Sequence, residues 1–242
     1  MSDFERVTES IYRLEVRWNL FGLLPLPVCV WLVRAADSWV LVDSGPPQTA
    51  DQIVAAVERA TGGQGVQRVV LTHGHYDHAG GLGALRLAWT APVLCHAAEA
   101  EFVTGERSYG EIPAATWHFS IGRFLMQPLP TAQSVGRKLE RGQSVEGMAV
   151  IHLPGHTPGH IGLLHPSDRA VICGDTLMTL RGRISPPFIL VTPDPVQAGA
   201  SIRRLGELDF AHLLPSHGPP ILERGREAVL EYLGEAKVSG QW

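Results

Sequence analysis

The sequence predicts an α+β fold, and three observations carry that prediction. Short apolar runs bounded by Gly or Pro read as buried strands, and several end in residues that bind metals. Helical stripes alternate with these runs. The candidate ligands span positions 73 to 217 of 242 residues, so residues 1–242 are expected to form a single domain whose halves meet at one site.

Taken in order, Ser10 to Val16, Val28 to Arg34 and Trp39 to Asp43 read as strands, the last two joined by an Ala36-Asp37-Ser38 turn. Between the first two, Leu20 to Pro27 reads as an apolar loop able to wall a pocket. Thr49 to Ala60 carries Ile53, Val54, Val57 and Ala60 at helical spacing. Val69-Val70-Leu71 is a strand, and Gly80 to Trp89 is a helix entered from the segment that follows it. Ala97 to Val103 reads as a further helix. The least regular stretch, about 105–143, holds Tyr109, Trp117, Phe119, Phe124, Leu125 and Met126, then the polar Arg137-Lys138-Leu139-Glu140-Arg141. It reads as a lid or a contact between copies, with an amphipathic helix packed on the core as the plainer alternative. Met148 to Leu153, Ala170 to Cys173 and His212 to Pro215 are strands followed by tight turns. Pro195 to Leu208 is a helix with Asp194 as its N-cap and Pro195 in its first turn. Gly225 to Lys237 closes the chain as a helix with Ala228, Val229 and Tyr232 on one side.

Chemistry concentrates after Val69-Val70-Leu71. His73-Gly74-His75-Tyr76-Asp77-His78 packs three histidines and one aspartate into six positions. Imidazole nitrogen and carboxylate oxygen are ligands for Zn²⁺ and its first-row neighbours. Side chains two apart on an extended backbone share a direction, so His73, His75 and Asp77 converge while His78 faces a second direction. The three later strands lead into His156, Asp175 and His217. Four strand ends thus deliver ligand-type residues to loops on a rigid scaffold.

His73, His75, Asp77, His78, His156, Asp175 and His217, in this order and at these separations, resemble the metallo-β-lactamase superfamily. The likeness runs from Leu41-Val42-Asp43-Ser44-Gly45 to Ser216-His217-Gly218. It implies a four-layer αβ/βα sandwich with the metal site at one edge of the two sheets. It also implies that His73, His75 and His156 hold one metal, that Asp77, His78 and His217 hold the other, and that Asp175 bridges them. Two divalent ions per chain are implied, Zn²⁺ first, with Mn²⁺ or Fe²⁺ as alternatives. Two such cations about 3.5–4 Å apart lower the pKa of a shared water towards 7 and polarise the substrate oxygen. Asp77 is a candidate for passing a proton to the leaving group, and Asp43 for fixing the tautomer of a ligand histidine. His160 matches no ligand position and reads as support for the site.

Within the superfamily, zinc β-lactamases generally lack the bridging aspartate that Asp175 supplies. Glyoxalase II-like enzymes carry a helical extension, whereas 25 residues follow His217. Some lactonases place a tyrosine where Met178 stands. The implied activity is a small hydrolase of esters, lactones or thioesters acting on a small-molecule substrate. The alternatives are a mononuclear iron persulfide dioxygenase, with ligands at His73, His156 and Asp175, or a phosphodiesterase.

Net charge of −4 offers no basic face for nucleic acid. No apolar stretch is long enough to span a bilayer, and Met1-Ser-Asp-Phe-Glu-Arg lacks the layout of a secretory signal. Cys29, Cys95 and Cys173 follow no paired spacing and read as reduced thiols, so a cytoplasmic location is expected, with a homodimer as an option. Arg181 and Arg183 are candidates for a substrate anion. His96, His118, His152, His165 and His212 read as structural.

Overall fold

Among the residues described by the computed structural model (3–20, 24–123, 134–180 and 182–238), the first half of the chain is organised on a seven-stranded sheet. Its strands are β1 (Glu5–Arg6), β2 (Ile11–Leu20), β3 (Leu24–Arg34), β4 (Trp39–Val42), β5 (Arg68–Val70), β6 (Val93–His96) and β7 (Arg137–Leu139), hydrogen-bonded in that order. Strands β1 to β4 pair antiparallel, and β4 to β7 are parallel. The central runs Val40-Leu41-Val42 and Val69-Val70 are buried throughout, the pattern of parallel strands covered on both faces.

One expectation needs correcting here. Pro25 and Pro27 lie inside β3, opposite Asn19 and Arg17, not in a loop. They are tolerated because β4 pairs only with Trp31 to Arg34, which leaves the Leu24 end of β3 bonded to β2 alone among the described strands. The polar stretch from Arg137 supplies β7, an edge strand whose Arg137 and Lys138 are exposed and whose Leu139 is buried. The helix within the same expected segment is α5 (Trp117–Gly122), which buries Phe119 and exposes Trp117 and Ile121, in keeping with the plainer alternative. Of the loop expected at Leu20 to Pro27, residues 21–23 lie outside the described residues, as do Phe124, Leu125, Met126 and Arg181.

Helix α1 (Ala50–Thr61) turns Ile53, Ala56 and Val57 into the core, while Ala60 is exposed. Burial of a side chain such as Ile53 stabilises by about 1.5–3 kcal/mol. Gly62 ends the helix at φ 62°, its N–H bonded to the carbonyls of Glu58 and Arg59. The helix expected at Gly80 to Trp89 is two pieces, α2 (Tyr76–Ala79) and α3 (Leu82–Ala88). The break has a steric cause. A Cβ on Gly81 would stand 2.2 Å from the Ser44 carbonyl oxygen, so the loop after β4 docks against this glycine. Helix α4 (Ala100–Thr104) follows a 3₁₀ turn at Ala97–Glu99. Leu14, Val30, Leu41 and Val69 from the sheet pack with Ile53, Val57, Leu82 and Leu85 from the helices.

The second unit comprises residues 109–123 and 140–238. It contains α5 (Trp117–Gly122), β8 (Ser144–Val145), β9 (Met148–His152), β10 (Ile161–His165), β11 (Ala170–Gly174), β12 (Met178–Leu180), β13 (Arg183–Ser185), α6 (Pro195–Glu207), β14 (His212–Pro215) and α7 (Gly225–Val238). Its five-stranded sheet runs β14-β11-β10-β9-β8, with β11 and β14 parallel. Asp194 caps α6 by accepting from the Gln197 N–H at 2.9 Å, with Pro195 next in the chain. Leu153, Val171, Ile202, Leu205, Phe210 and Val229 form its core. Each unit thus shows the expected mixture of sheet and helix. No described helix is long and apolar enough to cross a membrane.

Candidate metal centre

In the first unit the ligand-type residues are organised by the end of β4. The Asp43 N–H continues the parallel pairing by bonding to the Val70 carbonyl at 2.9 Å. The residue then turns to φ 64°, a left-handed conformation that aspartate tolerates better than most side chains. This aims its fully buried carboxylate at the segment after β5. Oδ1 accepts from the Thr72 N–H at 2.8 Å, and Oδ2 accepts from the Thr72 hydroxyl at 2.8 Å and from His78 Nδ1 at 2.9 Å.

These bonds assign the protons. Thr72 spends its hydroxyl proton on Asp43, so it accepts from His73 Nδ1, 3.1 Å away. Both His73 and His78 therefore carry their proton on Nδ1 and keep a lone pair on Nε2. The expectation that Asp43 fixes a histidine tautomer matches this geometry.

His73 and His75 precede α2, His75 on extended backbone, whereas Asp77 and His78 belong to its single turn. The two-residue alternation expected from the sequence therefore stops at His75. The His78 ring lies beside that of His73, with centroids 4.0 Å apart, and the His75 ring is 4.6 Å from His73. Asp77 Oδ2 is 3.5 Å from His78 Nε2. All four side chains are buried. The Ser44 N–H and hydroxyl both donate to the His78 carbonyl, at 2.7 and 2.8 Å, and fix the end of this turn.

Glu99 is a residue that sequence reasoning misses. Its carboxylate is fully buried and accepts from the Gly74 N–H at 2.9 Å, between the two leading histidines. In Ala97-Ala98-Glu99-Ala100-Glu101 nothing in the sequence separates the buried Glu99 from the exposed Glu101 two positions on.

The second unit assembles its own set. β9 leads through Leu153-Pro154 to Gly155 at φ 126°, where a Cβ would stand 2.1 Å from the Ala198 nitrogen. Glycine is required there, and His156 follows. His156 Nδ1 lies 3.0 Å from Thr192 Oγ1, whose proton goes to the Phe188 carbonyl at 2.9 Å. Thr192 thus accepts from Nδ1–H and leaves Nε2 of His156 as the basic nitrogen. Thr192, 36 positions away, has no signal in the sequence.

The parallel pairing of β11 and β14 sets Gly174 opposite Pro215, so Asp175 and His217 emerge side by side. Asp175 Oδ2 is 3.2 Å from His217 Nε2 and 3.5 Å from His156 Nε2. His160 Nε2 accepts from the Asp175 N–H at 2.9 Å, so this histidine holds the aspartate by its backbone, consistent with a supporting role.

Other histidines bond locally. His96 Nδ1 accepts from the Ala98 N–H, His165 Nδ1 from the Asp168 N–H, and His212 Nδ1 from the Glu223 N–H. His152 Nε2 donates to the Pro158 carbonyl, and His118 stacks on Trp117. Arg183 is exposed.

The donor set suits a first-row divalent cation: imidazoles, three of them with Nδ1 held by an oxygen acceptor so that Nε2 is the nitrogen presented, and carboxylates beside them. Among the described residues, the side-chain groups placed to hold an ion are histidine and aspartate, and cysteine is not one of them.

Comparison with known proteins agrees. The metallo-beta-lactamase superfamily profile matches residues 23–217. The probable metallo-hydrolase YflN of Bacillus subtilis (strain 168) is 32% identical over 213 residues, 79% of this chain and 80% of that protein. A hydroxyacylglutathione hydrolase of Aeromonas hydrophila subsp. hydrophila is 29% identical over 184 residues, 74% of this chain but 56% of its own length. Among solved structures, TTHA1623 in a di-iron-bound form gives a TM-score of 0.66 at 27% identity, covering 89% of this chain and 98% of that one. A match running from the β2–β3 hairpin to His217, through every candidate ligand, leads to one conclusion: the chain belongs to the metallo-β-lactamase superfamily.

Proposed function

We propose that the chain is a metal-dependent hydrolase that cleaves an ester, lactone or thioester. In this reading His73, His75 and His156 hold one divalent cation, Asp77, His78 and His217 hold a second, and Asp175 bridges them. The observation that carries it is the proton placement on His73, His78 and His156: each Nδ1 is committed to an oxygen acceptor and each Nε2 is left basic. Membership of the superfamily and relatives named as metallo-hydrolases support the same reading.

When bound, divalent cations would supply an acidified water and polarisation of the scissile carbonyl. The chain's own residues do the rest. Asp43 and Thr72 hold two imidazoles in register, Glu99 fixes the backbone between His73 and His75, and His160 holds Asp175. Asp77, in the first turn of α2, is the group proposed to carry a proton to the leaving atom. Asp77→Asn, with metal content measured beside turnover, tests that role; full activity at unchanged occupancy removes Asp77 from the proton path.

The test of the whole reading is metal quantification on protein purified without chelators, coupled to thioester, lactone, aryl ester and phosphodiester substrates. Two metals per chain with ester or thioester cleavage is the expected result. One iron per chain with oxygen consumption on a persulfide would overturn it in favour of a dioxygenase.

A further inference from the structure

A cavity of about 660 Å³ lies wholly within the second unit, in the range of small-molecule sites. Met178, Phe188, Ile189, Thr192, Pro195 and Val196 contribute to its walls. Phe188, Ile189 and Val196 are 45%, 42% and 77% exposed. A single exposed apolar side chain is ordinary, but several around one concavity mark a binding surface.

One wall is tied directly to a candidate metal ligand, and a second adjoins a residue bonded to another. The Thr192 hydroxyl accepts from His156 Nδ1, and its own proton is held by the Phe188 carbonyl, so the cavity wall and the His156 ring share one hydrogen-bonded chain. Met178 begins β12, where the next residue, Thr179, donates its N–H to the His217 carbonyl at 2.9 Å. A group seated in this cavity therefore lies against Thr192, the residue that orients His156, and one residue short of the backbone bond to His217.

Its lining selects the chemistry of that group. The charged member, Arg203, is exposed to solvent, and the Thr192 hydroxyl is already engaged. Ser185, half-buried, is the remaining polar side chain of the lining, so a peptide, sugar or phosphate buried here would lose more water than these few partners replace. We propose that this cavity receives the apolar acyl or alkyl chain of the substrate, so that the enzyme prefers esters or thioesters of medium-length apolar acids. This rests on the hydrolase reading and adds the substrate class to it.

The test uses the purified holoprotein with p-nitrophenyl esters from acetate to decanoate and the matching thioesters. Each methylene buried in the cavity should raise kcat/KM about fourfold, mostly through KM, until the cavity is filled. Val196→Glu and Phe188→Ala should each cut the ratio of decanoate to acetate turnover by about tenfold or more. Val196 sits next to Pro195 at the start of α6, where an acidic side chain favours the helix, so the first variant keeps the fold. A flat chain-length profile in the wild type, or a ratio untouched by both variants, overturns the proposal.

Binding of N-octylacetamide, followed by calorimetry, separates the two readings. If no ester is cleaved but this amide binds the wild type and not Val196→Glu, the hydrolase reading falls and the apolar site stands. If esters are cleaved without chain-length dependence and the amide does not bind, the apolar site falls and the hydrolase reading stands.

Discussion

Replacing Asp43 by asparagine is the sharpest test of how the first unit prepares its histidines. The substitution keeps shape and tolerates φ 64°, so the backbone should hold. The amide has one oxygen, which can keep the bond from the Thr72 N–H now at 2.8 Å. Its NH₂ group then faces the Thr72 hydroxyl and the His78 Nδ1–H, which reach Oδ2 at 2.8 and 2.9 Å. Donor meets donor at both.

Losing two bonds to a buried carboxylate costs about 1.5–3 kcal/mol each, and one neutral bond recovered after rearrangement returns about 1 kcal/mol. The metal-free variant should therefore lose roughly 2–5 kcal/mol in urea unfolding. The rearrangement itself moves the His78 proton from Nδ1 to Nε2, the nitrogen proposed to bind metal. Metal affinity should fall about 10–100-fold, as for other losses of a partner behind a ligand histidine. Chelator-competition titration measures the affinity, and nitrogen chemical shifts of the His78 ring read the tautomer. Asp43→Ala adds about 1–2 kcal/mol of left-handed backbone strain to the stability loss. Wild-type metal affinity in Asp43→Asn, with His78 still protonated at Nδ1, would refute the reasoning.

Four further outcomes follow from the same structure. Gly155→Ala combines a backbone that disfavours side chains, about 1–3 kcal/mol, with overpacking against Ala198, about 1–3 kcal/mol more; Gly62→Ala, which meets nothing within 4 Å, should lose about 1–2 kcal/mol, and urea midpoints compare them. His160→Ala leaves the buried Asp175 N–H without its acceptor, costing about 1–3 kcal/mol, yet should bind the wild-type number of metal ions; a lost ion would make His160 a ligand. Burial pushes the Cys95 thiol up to about 12, so a maleimide reagent at neutral pH should leave Cys95 unlabelled until the protein is unfolded. Burial, chiefly, holds His152 below its ordinary value of 6.5, so the unfolded chain binds its proton first; this contribution to stability is complete above that value and is lost as pH falls through the folded one. His152→Gln should flatten that part of the urea stability profile below about pH 6.5.

The candidate ligands are legible because chemistry and chain position coincide: His73 to His78 are contiguous, and His156, Asp175 and His217 each follow an apolar run ending in Gly or Pro. Asp194 with Pro195 likewise announces α6. What stays hidden depends on partners distant in sequence. Thr192 meets His156 only after the β9 turn has docked on α6, and nothing in its own neighbourhood marks it. Glu99 reaches Gly74 across 25 positions. Strand β10 escapes notice because Gly162 interrupts its apolar pattern, yet a Cβ there would stand 3.0 Å from Leu153 and 3.1 Å from the Ile172 carbonyl. Gly80 and Gly81 look like ordinary helix because the carbonyl that breaks the helix belongs to Ser44. Strand periodicity describes the ligand segment only as far as His75, because the chain has turned into α2 at Tyr76.

The prolines of β3 bear on how this protein behaves in company. A strand bonded on one side exposes a row of N–H and C=O groups that another chain can add to. Pro25 and Pro27 keep their places beside β2 only if their nitrogens face away from it, so that outer row lacks a donor at two alternate positions. An incoming strand would find acceptors without matching donors and could not build a ladder there. Among the described residues, the end of β3 that pairs with β2 alone is thereby kept from serving as a template for aggregation, while Val28 to Val33 stay buried beside Ile11, Leu14 and Val16.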